Sequence, residues 1–194
     1  MASITGLRGS TGEEWYSWPV GTPESALAEV ATRFAARPEA LDNITASITA
    51  CDKRVGEQGA ALAGVWVPDA LEGIVAAQWW AGVLSAPDDD TFRSARRYER
   101  AVRGRSFDGP TTVFSQSVTS GHAADDVEFV LHVETRADGD GGTWYLMARA
   151  VYFPMWAKDR AILQVLCPFT TLAEDFVENA QLLASTLLLD SSTP

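Results

Sequence analysis

Histidine and cysteine are scarce in this chain, with two of each in 194 residues, and both shortages narrow its chemistry. Cys51 and Cys167 are too few for a disulfide framework and suit a reducing cytosol. Cys51 continues the apolar face of a helical pattern and Cys167 ends an apolar strand, so both read as inert core thiols. Basic residues are also short, 15 against 26 acidic ones, for a net charge of -11. That balance disfavours sequence-independent binding to nucleic acid and binding to anionic membranes. Long apolar runs are missing too. The longest, Gly73 to Leu84, falls well short of the roughly 20 residues that span a bilayer. The first twenty residues hold Glu13, Glu14, Trp15 and Trp18 and no run of signal-peptide length, so the expectation is a cytoplasmic protein that is neither exported nor membrane-bound. Asn43-Ile44-Thr45 fits a glycosylation acceptor but lies inside a helical pattern, and carries no weight.

Catalytic and cofactor motifs are lacking as well. There is no P-loop and no Gly-x-Gly-x-x-Gly cradle. Gly104-Arg105-Ser106-Phe107-Asp108 lacks the closing glycine of a nucleophile elbow and follows a helix instead of a strand. Asp138 and Asp140 imitate the start of a calcium loop, but its twelfth position is Arg149 where a bidentate glutamate is required. His122 lies near Asp125 and Asp126, an arrangement expected of a solvated turn more than of a metal site. His132, between Glu128 and Glu134, reads as a sheet-surface histidine. No metal, cofactor or catalytic residue is expected, although an active site assembled from distant residues remains open.

What the sequence does contain is an ordinary globular composition, 46% hydrophobic and 21% charged, at a length that buries about 70% of the unfolded surface in one domain. Thr22-Pro23-Glu24 predicts a helix start, with Thr22 as cap and a helix to about Ala36. After Pro38, the spacing of Leu41, Ile44, Ile48 and Cys51 predicts a second helix to Gly56. Gly59 to Val67 and Gly73 to Leu84 read as strands parted by a turn at Pro68-Asp69, the second interior to a sheet covered on both sides. The acidic turn Pro87 to Asp90 leads into a helix from Thr91 to Arg103. Beyond Gly109-Pro110 come strands at Thr111–Thr119, Val127–Arg136, Thr143–Phe153 and Ala161–Phe169, with a hairpin turn from Asp138 to Gly142. Thr171 to Glu174 forms a capping-box pattern for a last helix whose apolar stripe is Phe176, Val177, Ala180, Leu183, Ala184 and Leu187.

The expected class is therefore α+β: an antiparallel sheet of about six strands sandwiched between helices, in the order α-α-β-β-α-β-β-β-β-α. Residues 1–21 would be an irregular arm, 22–189 the domain and 190–194 a disordered tail. This order, and above all the run Val151-Tyr152-Phe153-Pro154, Asp159 to Leu163 and Thr170-Thr171-Leu172-Ala173-Glu174-Asp175-Phe176, resembles uncharacterised actinobacterial proteins with a PsbP-like fold, and is similar to the mycobacterial LpqN lipoprotein group. The resemblance implies a six-stranded antiparallel sheet between helices and a role in binding other proteins, with no catalytic residue to carry over.

Two features rise above background. Residues 91–105 hold six of the 15 basic residues and one acid, Glu99. The stretch is thus about +5, while the rest, with nine bases against 25 acids, is about -16. At about 100° per residue, Arg93, Arg96, Arg97, Arg100 and Arg103 share one helix face, and Ala95, Tyr98 and Val102 the other. Such a stripe is either a solvated face paired with the protein's own acids or a binding face for an acidic partner or phosphate. The second feature is seven tryptophans. Trp79 and Trp80, adjacent in a strand, place one indole in each layer. Trp15 and Trp18 are expected in the arm, clamping across the domain or onto another chain.

These readings favour a protein-interaction module: an adaptor, chaperone-like or immunity-type protein of an actinobacterial secretion or toxin system, whose net negative charge would also speed capture of a basic partner. The alternatives are a homo-oligomeric or heteromeric structural subunit, and a small-molecule-binding protein or hydrolase with a pocket between sheet and helices.

Overall fold

The computed structural model describes residues 2–9, 14–68, 73–104, 111–138 and 142–192. The protein is α+β, with nine strands and four helices among those residues: β1 (Ile4–Gly9), β2 (Trp15–Pro19), α1 (Glu24–Thr32), α2 (Pro38–Gly56), β3 (Leu62–Trp66), β4 (Ala77–Leu84), α3 (Ala95–Arg103), β5 (Thr111–His122), β6 (Glu128–Asp138), β7 (Trp144–Phe153), β8 (Arg160–Cys167), α4 (Ala173–Thr186) and β9 (Leu187–Ser191).

Seven strands form one antiparallel sheet in the order β2-β3-β4-β8-β7-β6-β5, one strand more than expected. The C-terminal meander β5 to β8 ends by laying β8 beside β4, which joins the two halves of the chain. The expected N-terminal arm is instead two strands. β2 extends the large sheet, and β1 pairs with β9 as a separate two-stranded ribbon. The expected disordered tail likewise contributes Asp190 and Ser191 to β9. Arg8 clasps Asp190 across the ribbon at 2.6 Å, so the two ends of the chain are tied.

Side-chain alternation divides the core in two. On one face α1 and α2 bury Leu27, Ala31, Ile44, Ile48, Cys51 and Val55 against Ala63 and Val65 of β3. On that same face, further along the sheet, α3 buries Ala95, Tyr98 and Val102 against Val130 and Val151. The opposite face takes α4 and the ribbon: Phe176, Ala180, Leu183 and Leu187 pack with Trp79, Leu131, Ala148, Tyr152 and Val165. Trp79 and Trp80 accordingly point into different layers, Trp79 fully buried and Trp80 half-buried.

Local details differ from the predicted caps. Thr22 does not cap α1; its hydroxyl donates to the Pro19 carbonyl at 2.6 Å, and Pro23 takes the cap position. α1 ends at Thr32, before Ala36. Thr171 lies in a 3-10 turn before α4 and caps nothing with its side chain, while Val177 falls off the buried stripe and is 40% exposed. The expected helix from Thr91 is broken. Asp89 caps a 3-10 turn over Asp90–Arg93, and Ser94 restarts the chain as the cap of α3. The turn at Pro68-Asp69, the hairpin at Asp138–Gly142, Gly109-Pro110 and Arg105 lie wholly or partly outside the described residues. Among the described residues no helix is long and apolar enough to cross a membrane.

Candidate functional site

The arginine face has the predicted polarity. Ala95, Tyr98 and Val102 are buried, whereas Arg93, Arg96, Arg97, Arg100 and Arg103 are all exposed. Tyr98 anchors the helix, with its ring 5.4 Å from that of Phe92 and 5.9 Å from that of Phe153, centroid to centroid. The stripe is not continuous helix, because Arg93 belongs to the preceding 3-10 turn.

Pairing along the face is uneven. Asp90 takes both Arg93, at 3.5 Å, and Arg97. Glu99 takes Arg103 at 2.9 Å and accepts from Ser120 at 3.2 Å, and the Arg103 guanidinium holds its carboxyl below the usual range. Arg103 also donates to the Val118 carbonyl of the edge strand β5. Arg96 and Arg100 make no ion pair among the described residues. They stand one helical turn apart, where side chains are neighbours. Three of the five arginines are thus neutralised by the protein itself and two are open among the described residues.

The two N-terminal tryptophans are elsewhere. Trp15 and Trp18 are each 3% exposed, so neither offers an indole to another chain. Trp15 stacks on Trp66, centroids 5.6 Å apart and planes within 8°, and donates to Asn179 of α4 at 3.0 Å. Trp18 donates to Asp52 of α2 at 2.9 Å. Being three apart in a strand, they point into opposite layers and hold β2 to both. The exposed aromatic pair is one the sequence did not mark: Phe114, beside a bulge in β5, stacks on Trp144 at 3.9 Å with both rings about half exposed.

His132 is 1% exposed instead of lying on the surface, because α3 covers that face, and the Tyr98 ring is 6.2 Å away. Glu134 beside it is 2% exposed and accepts from Arg136 at 2.6 Å. His122 is exposed at the end of β5, 4.0 Å from the Asp126 carboxylate. Cys51 and Cys167 are fully buried free thiols in different layers; burial pushes Cys51 up to about 11 and also raises Cys167.

No family model matches the chain, and no curated protein matches it. The functional reading therefore rests on geometry.

Proposed function

We propose that this protein is a non-enzymatic interaction module that takes an acidic protein partner on the arginine face of α3. One observation carries the reading: Arg96 and Arg100 are exposed side by side, while the single acid of the helix is engaged by Arg103 and Ser120. Like charges one turn apart destabilise a helix by about 0.2–0.5 kcal/mol, so this pair does not serve folding. Exposed guanidinium forks match carboxylates bidentately, and a positive stripe on an otherwise negative body would orient an acidic partner during encounter. A cytoplasmic location, the kinship with the LpqN-like group and an immunity or chaperone-like role belong to the same proposal.

The test is the double variant Arg96→Glu/Arg100→Glu. Its circular dichroism should match the parent. The parent should capture a stoichiometric acidic protein from lysate of its source at low salt and release it at high salt, and the variant should not. Loss of the native fold in the variant, or capture of no stoichiometric partner at low salt, overturns the reading.

A further inference from the structure

The helices leave the middle of their sheet face uncovered. α1 and α2 lie over β3 and its neighbours, α3 lies over β5 to β7, and a groove of about 550 Å³ runs between them over β4 and β8. Its floor is one row of the sheet read across the register: Trp80 of β4, Gln164 of β8 and Arg149 of β7. Ile162 and Leu166 flank that row, and Arg54 of α2 reaches over it, its guanidinium carbon above the Trp80 ring at 5.9 Å from the centroid, so an anion on Arg54 lies at the edge of the indole.

The charge of this groove is out of keeping with the molecule. The chain has 26 acids against 15 bases, yet the described residues lining the groove include two arginines and no acid. Each arginine is held by a neutral amide. Arg149 gives both Nε, at 3.1 Å, and Nη2, at 2.7 Å, to the Gln164 side-chain oxygen, and Arg54 donates to Gln78. Neither has an ion-pair partner among the described residues. An amide oxygen orients a guanidinium and leaves its charge uncompensated, and a half-buried cation on a sheet floor is costly unless an anion meets it. Trp80 adds a flat, half-buried indole on which a ring can stack. Space is also provided: a β-carbon at Gly82, on the same face of β4, would meet nothing nearer than 3.6 Å.

We propose that this groove binds a small organic anion with a planar ring, its carboxylate or phosphate on Arg149 and Arg54 and its ring on Trp80. The site is separate from the arginine face of α3 and does not depend on it.

Naphthoate and naphthyl phosphate, with the neutral naphthyl methanol as control, serve as probes in calorimetry and tryptophan-quenching titrations of the full chain. Saturable binding of either anion at one site per chain is expected, and the two anion arms tell a carboxylate ligand from a phosphate one. The neutral analogue, and the anions on Arg149→Gln or Arg54→Gln, should bind about 10-fold more weakly or worse, the scale of one charge-assisted contact. Gly82→Val puts a branched side chain into the groove from a position where a β-carbon meets nothing nearer than 3.6 Å, so it should keep the parent's melting temperature and abolish binding. The proposal is overturned if no probe saturates, if the neutral analogue binds as well as the anions, or if Gly82→Val binds like the parent. Arg96→Glu/Arg100→Glu should bind the probes unchanged.

Discussion

The indole of Trp79 fills the space that a side chain at Gly64 would occupy. The two residues face each other in register across β3 and β4, and a β-carbon at Gly64 would collide with the Trp79 ring and with the Tyr16 carbonyl of β2. Backbone carbonyl on one side and a fully buried ring on the other cannot both yield. Gly64→Ala should therefore destabilise the protein by about 3 kcal/mol or prevent folding, at the upper end of overpacking costs. Gly82→Ala in the same sheet is the control and should be near neutral. Urea unfolding of both variants decides, and equal midpoints would refute the packing described.

Trp18 and Asp52 make the corresponding contact in the other layer. Asp52 accepts from the Trp18 indole at 2.9 Å and from the Gly21 backbone at 3.1 Å. One carboxylate thus fixes both the end of β2 and the turn into α1 to the second helix. Asp52→Ala leaves the buried indole N–H without its acceptor, which costs about 1–3 kcal/mol. Trp18→Phe with Asp52→Ala should cost less than the sum of the two single changes, because the orphaned donor is removed with its acceptor. A double-mutant cycle by chemical denaturation measures the coupling, and strict additivity would show the hydrogen bond to be idle.

Cys51 carries a pH prediction. Burial raises its thiol from 9.0 to about 11, so the folded state keeps a proton that the unfolded state gives up earlier. A raised pKa of this kind costs nothing below about pH 9. Stability is then lost as pH climbs from 9 towards 11 and the unfolded chain ionises. At pH 8 about one folded thiol in a thousand is ionised, and only the thiolate attacks. Iodoacetamide at that pH should label Cys51 only after denaturation. In denaturant melts between pH 8 and pH 10.5, Cys51→Ala should lose less stability than the parent; parallel losses would remove the thiol as the cause.

Much of the fold was legible because its signals are local. The alternation of Phe129, Leu131 and Val133 with Val130, His132 and Glu134 placed β6, and the adjacency of Trp79 and Trp80 placed one ring in each layer. What escaped depends on contacts remote in sequence. The pairing of Ile4–Gly9 with Leu187–Ser191 joins opposite ends of the chain, and nothing near Arg8 announces Asp190. Alternation tells which face a residue takes and not what covers it. Alternation therefore puts His132 on a sheet surface though α3 buries it, and the calcium-loop spacing gives Arg149 no role though it lies on an open sheet floor beside Gln164. The stripe on α3 was legible from 100° periodicity. Its division into paired and open arginines was not, since the break at Ser94 brings Asp90 back beneath Arg97.

That division yields the last prediction. Asp90 is exposed and neutralises two arginines, Arg93 and Arg97, that would otherwise extend the open pair at Arg96 and Arg100. Exposed ion pairs of this kind contribute about 0–1 kcal/mol, so Asp90→Asn should shift the melting temperature by only about 2–3 °C. Its effect on binding should be larger, because an acidic partner then meets four unneutralised guanidiniums in place of two. Fluorescence anisotropy with a labelled glutamate-rich peptide should show affinity rising about 3- to 10-fold over the parent at low ionic strength. The two should converge at about 1 M salt, where screening acts within about 3 Å. If Asp90→Asn instead weakens the peptide, Asp90 acts by holding Arg93 and Arg97 in a receptive geometry; if affinity is unchanged and insensitive to salt, the arginine face is not where an acidic chain binds.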